Sequence, residues 1–296
     1  MTRYSVRRIT FWTLVICLVS GVVVVVLPPS VGYWPTAKVE SVRVLAPRSP
    51  LDDAASRSSL VGSASFGVEF DGPKGTGPDL SVFEYDVGGG GWGNHERQIY
   101  TSSRKNSQLD GRGNLVIRAI REGSEVTSAR LTTRGRFSFT YGTLSARLRI
   151  PAGDGLHPSF WLLGADIDSV GFPACGELDV IETINAASSW HTAVHGPDAD
   201  GRTYGIVRDG AVSGSLADRF RTYSVTRSPG RVTMAVDGIV VSTYTRADLP
   251  PGAPWVFDKP MYVVFDIAAG GEWPGPITPE TPDISTMAID WMRFWK

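Results

Sequence analysis

The chain has 296 residues, enough for one large domain with a sizeable core. Its 29 Lys and Arg balance 30 Asp and Glu, so no excess of cations argues for a nucleic-acid partner, and a neutral ligand fits better. With 42% hydrophobic and 10% aromatic residues, 33 Gly and 9 Trp, the composition excludes a disordered or coiled-coil chain and suits a β-rich globular one.

The first element is a leader. Arg3, Arg7 and Arg8 precede the uncharged run Ile9 to Leu27, and the next charge is Lys38. At about 1.5 Å per residue such a run crosses most of a hydrocarbon layer about 30 Å thick. Basic residues before it and none just after place the N-terminus in the cytoplasm and the remainder outside. The expected division is a signal or anchor segment with one transmembrane helix over 1–35, a Pro-, Ser- and Ala-rich linker over 36–65, and one folded domain over 66–296.

In the domain the hydrophobic period is two almost everywhere. "NLVIRAI" sets Leu115, Ile117 and Ala119 on one face, "RFSFTYG" sets Phe137, Phe139 and Tyr141, and "LSARLRI" sets Leu144, Ala146 and Leu148. The same alternation in "WGNHERQIY" groups Asn94, Glu96, Gln98 and Tyr100. Asp237-Gly238 sits between two apolar runs, the signal of a type I′ hairpin, and "MYVVFDIA" and "MAIDWMRFW" read as the last strands. No amphipathic helix stands out after the leader. Many antiparallel strands over this length predict an all-β fold of two packed sheets, a sandwich or jelly roll. The two cysteines, Cys17 and Cys175, offer no disulfide within the domain, and Cys175 reads as a small buried hydrophobe.

One strand breaks the pattern. "GELDVIETIN" carries Glu177, Asp179 and Glu182 in an apolar run, and a regular strand would turn Glu182 away from the other two. A bulge at Val180-Ile181 brings it back. Three carboxylates on one surface repel one another, and partial burial lifts at least one pKa. Glycoside hydrolysis uses that asymmetry, because one carboxylate must attack while another holds a proton. A solvated face or a hard-cation site is comparable from spacing alone. Nearby rings favour catalysis: Trp161 upstream, His195 downstream and Trp273 in "GGEWPG".

On "WGNHERQIYT", "TSARLTTRGRFSFTYG", "PSFWLLG", "FPACGELDVIE", "VHG" and "GGEWPG", in that order, residues 66–296 resemble the bacterial laminarinase-type members of glycoside hydrolase family 16. Glu177, Asp179 and Glu182 meet that family's E-x-D-x-x-E signature. The resemblance implies a β-jelly-roll with a long concave cleft that cuts internal β-1,3 or mixed β-1,3/1,4 glucan linkages with retention. It implies Glu177 as nucleophile, Glu182 as general acid/base and Asp179 between them. His195 would lie near the leaving group and Trp161 would floor the cleft, with Asn94, Arg130 and Trp273 at the sugar and Glu96 able to join them. Catalysis would need no cofactor. A structural Ca²⁺ is implied at Asp290, although a solvated or hydrogen-bonded Asp290 explains the residue as well. The partners are then a polysaccharide and, through the leader, a membrane, and the protein is expected to be a monomer.

The chain departs from the family pattern at His157 and Phe172, where Trp is usual, at Arg227 and Met234, where aromatics are usual, and at Glu272, where Asn is common. These departures leave the sugar open. Another β-linked polysaccharide such as a galactan, and transglycosylation, fit the same machinery. A glucan-binding protein without activity ranks lower, because no catalytic carboxylate is missing.

Overall fold

The computed structural model describes residues 63–296 and, in the leader, two two-residue strands, Leu18–Val19 and Val22–Val23, paired antiparallel. The rest of the expected transmembrane helix and most of the linker lie outside the described residues. Among the described residues no helix is long and apolar enough to cross a membrane, and the described part of the leader is strand, the conformation that branched Val favours.

Two sheets make the domain. The larger runs in the order Ile239–Thr245, Arg231–Val236, Arg221–Ser228, Gly142–Arg149, Ile284–Trp295, Leu115–Glu122, Glu125–Ser128 and Ile99–Tyr100, with Phe66–Glu69 and Ser107–Leu109 paired off this path. The second runs in the order Thr203–Ala211, Ser189–Pro197, Glu177–Glu182, Leu156–Gly164, Met261–Ala269, Arg130–Thr132 and Glu84–Tyr85. Apart from the two-residue pairing of Ile99–Tyr100 with Glu125–Ser128, which is parallel, every pairing in the two sheets is antiparallel. This is the expected jelly roll. The described residues hold only one α-helical turn, Ile167–Val170, and one 3₁₀ turn, Arg246–Asp248.

The alternation places the core as expected. Leu115, Ile117 and Ala119 are buried, as are Leu144, Ala146 and Leu148. They meet Phe160, Leu162, Phe265 and Ile267 of the second sheet in one cluster, where Phe160 and Phe265 stack with centroids 4.8 Å apart. The Asp237-Gly238 turn takes φ of 51° and 82°, as a type I′ hairpin requires.

Two segments depart from the pattern. "RFSFTY" is not a strand: Phe139 makes a single bridge to Met261, and Tyr141 is exposed. Phe137 and Phe139 instead close the edge of the core against Phe66 and Phe294, so ring packing holds this stretch where a ladder does not. "WGNHERQ" is a turn with positive φ at Trp92 and His95, yet Gln98 and Tyr100 still point inward. Arg227, at a position where the resemblance leads one to expect an aromatic, is buried and donates to the carbonyl oxygens of Phe139, Phe257 and Lys259. Burial pushes its guanidinium down to about 10.

Phe265→Ala would remove one half of the central stack where no solvent can fill the space. The expected loss is about 3–5 kcal/mol of stability, measured by urea unfolding.

Candidate active site

The site is built on the bulged strand. Glu177 pairs with Leu163 on one side and His195 on the other, and Asp179 pairs with Trp161 and Ala193. The register then slips on both sides, and Glu182 pairs with Ser159 and His191. Two residues therefore fill the space of one. Leu178, Val180 and Ile181 all enter the core, which leaves Glu177, Asp179 and Glu182 on the opposite face. The bulge lies at Val180-Ile181, where the pattern of the sequence requires it.

Electrostatics then separates the three groups. Asp179 is the most enclosed, and burial with the charges of Glu182 and Glu177 pushes its carboxyl well above the usual range. Burial also raises Glu177, against the pull of His195 and with the push of Glu182. His195 Nε2 lies 3.2 Å from Asp179 Oδ2 and 3.9 Å from Glu177 Oε1. Burial alone would disfavour imidazolium there, but the Asp179 contact and the surrounding carboxylates lift His195 to about 9. Both members of the Asp179–His195 contact are thus shifted toward their protonated forms beside Glu177. Glu182 goes the other way: it is half-buried, yet the hydrogen bond with His157 at 2.8 Å holds it below its ordinary value.

The remaining expected residues converge on the same face. Arg130, on the strand beside Met261–Ala269, lies between two indoles, 4.6 Å from the Trp92 ring centre and 4.5 Å from that of Trp161, and pairs with Asp86 at 3.1 Å. Two loops meet beside it. The Glu272 amide donates to the Asn94 carbonyl, and the Glu272 carboxylate contacts His95 Nδ1 at 2.9 Å. Gly271, with φ of 96°, sits so near that carbonyl that a side chain there would collide with it. Gln98 donates to Glu96 at 2.7 Å. Trp273 stands edge-on to His157 and to His191, with centroids 4.7 and 4.9 Å away. Asp290 lies apart, on the other sheet, where Arg147 Nη1 binds its carboxylate at 2.5 Å. That cation occupies the group expected at Ca²⁺.

Three residues of the site were not legible as such. His157 showed only as a departure from Trp, His191 had no signal, and Asp266 lay unmarked in an apolar strand. Asp266 accepts from Tyr100 Oη at 3.1 Å. Burial lifts it to about 6, against the pull of Arg130. Cys175 is buried, and that burial raises its thiol. Glu177, Asp179 and His195 offer ligand atoms within 4.8 Å of one another, but a hard cation asks for six or more oxygens, and here one of three groups is an imidazole.

Residues 94–293 match the family profile "Glycosyl hydrolases family 16". The chain belongs to that family. It is 35% identical over 233 residues to a "Beta-glucanase" of Rhodothermus marinus, a match covering 74% of this chain and 80% of that one. It is 28% identical over 285 residues to a "Glucan endo-1,3-beta-glucosidase A1" of Niallia circulans, covering 84% of this chain and 39% of that longer protein. The solved laminarinase from Rhodothermus marinus superposes with a TM-score of 0.70 at 33% identity, over 79% of this chain and 97% of the other. As a member of family 16 the chain is a glycoside hydrolase, and the double carboxylate mechanism is general to that family.

The environment of Asp266 has a consequence for stability. Folding favours its protonated form, so its contribution is full below 3.8 and is lost as pH rises through about 6. Asp266→Asn should therefore unfold at higher urea than the wild type at pH 7.5 and at the same urea near pH 3.5, as followed by fluorescence.

Proposed function

We propose that the chain is a retaining, endo-acting β-glucanase that cuts internal β-1,3 or mixed β-1,3/1,4 linkages. The observation that carries this reading is the bulge that gathers Glu177, Asp179 and Glu182 on one face. Glu177 attacks the anomeric carbon while Glu182 gives a proton to the departing oxygen. Water then reverses the roles, with Glu182 as base. A retaining pair works at a separation of about 5–5.5 Å. Asp179 and His195 hold a proton beside Glu177, so the nucleophile carries its charge against a neutral or cationic neighbour. Trp161 and Trp273 present rings to sugar faces, and Asn94, Glu96, Arg130 and Glu272 offer hydrogen bonds to hydroxyls.

The names of the Rhodothermus and Niallia relatives support a β-glucan as the substrate. The charge asymmetry of the leader supports an extracytoplasmic enzyme held by its N-terminal segment, with residues 36–65 as spacer. The Arg147 contact speaks against Ca²⁺ at Asp290.

The test is laminarin turnover by the full chain. Glu177→Gln and Glu182→Gln should each lower kcat/KM by about 10³-fold or more while leaving the circular dichroism unchanged. Wild-type turnover in either variant would refute the roles of nucleophile and acid/base.

A further inference from the structure

His157 stands where Trp is usual in the family pattern, and it does something an indole cannot. Its Nε2 lies 2.8 Å from Glu182 Oε1, both side chains are largely enclosed, and Trp273 stands edge-on against the imidazole. We propose that His157 is a positioning residue that shares one proton with Glu182 across this hydrogen bond and thereby sets the alkaline limit of the reaction. The inference rests on Glu182 being the acid/base.

The proton balance is simple. In the first half-reaction Glu177 forms its bond to the anomeric carbon and the glycosidic bond breaks, its electron pair leaving on oxygen. That oxygen takes the one proton the pair holds, which passes from His157 Nε2 to the Glu182 carboxylate and from Glu182 to the oxygen, leaving a neutral imidazole and an ionised Glu182. In the second half-reaction water adds to the anomeric carbon, the bond to Glu177 breaks, and the proton of water returns through Glu182 to His157. No proton is gained or lost over the cycle.

The neighbours of the imidazole favour retention of that proton. Glu182 contacts it directly, while Asp266 on the strand Met261–Ala269 and Glu96 in the loop before Ile99 add negative charge. His191 packs on the same Trp273 ring and, like His195, lowers Glu182. Burial by itself would push His157 down, but the Glu182 bond and these carboxylates leave it raised. Nδ1, buried without a partner among the described residues, limits that rise, because the protonated pair places a hydrogen there. A raised imidazole therefore keeps the proton on the pair as pH climbs past the point where a carboxyl alone would have lost it.

Two measurements on the full chain decide the matter. In the first, the His157 imidazole is titrated by NMR, its signal assigned by its loss in His157→Gln. The midpoint should fall in Glu182→Gln, and an unchanged midpoint overturns the proposal whatever the substrate. In the second, kcat and KM on laminarin are compared from pH 5 to 9 for wild type, His157→Gln and His157→Trp. Glutamine can still donate a hydrogen bond to Glu182 but cannot carry the proton. Both variants should therefore lose about tenfold in kcat near pH 8, with KM within about threefold and the gap closing toward pH 5.5. An alkaline limb that coincides with the wild type, or a loss equal at every pH, would assign His157 a structural role only. Absence of turnover by the wild type would instead strike the substrate reading, and the titration would still judge the pair.

Discussion

A single extra residue in one strand organises the active face. Because Val180 and Ile181 both enter the core, the polar side of Glu177–Glu182 resumes its original phase after the slip, and the third carboxylate joins the other two. The apolar side drives the arrangement. Burying two branched side chains contributes several kcal/mol, more than a lost ladder bond takes away, so the irregular strand is also a well-anchored one. The acidic face is then held by the hydrophobic core behind it and not by any attraction among the acids themselves, which repel.

That repulsion is managed by histidines. His195 comes from the strand hydrogen-bonded to the acidic one, directly opposite Glu177, and His157 comes from the strand on the other side. One partner sits against Asp179 and Glu177, and the other lowers Glu182. The same sheet carries Arg130 and Asp266 as a directly paired couple. Charge on this face is therefore arranged in rows across neighbouring strands, so that each acid has a basic or hydrogen-bonding group within reach.

Much of this was legible in the sequence, for physical reasons. Period two marks a half-buried strand whatever its partner, so Leu144, Ala146 and Leu148 read correctly without knowledge of the sheet. The misfit of Glu182 with that period called for a bulge and located it. Contacts across strands leave no such trace. His157 and Glu182 are 25 positions apart, and only the pairing of their strands brings them together. Asp266 and Arg130 are 136 positions apart by their numbers and paired in register, which no local pattern records. "RFSFTYG" alternates as a strand should, but its rings found better packing at the edge of the core, and tertiary contact overrode propensity.

Arg227 shows how far a substitution can commit a protein. Its guanidinium serves the backbone carbonyls of Phe139, Phe257 and Lys259, which come from two segments distant in the chain. An aromatic ring at this position would take the guanidinium donor from the Phe257 and Lys259 oxygens, while the Phe139 oxygen would keep only the Met261 amide. The exchange could not be made alone: the loops that meet at the guanidinium would have to be rebuilt in the same move.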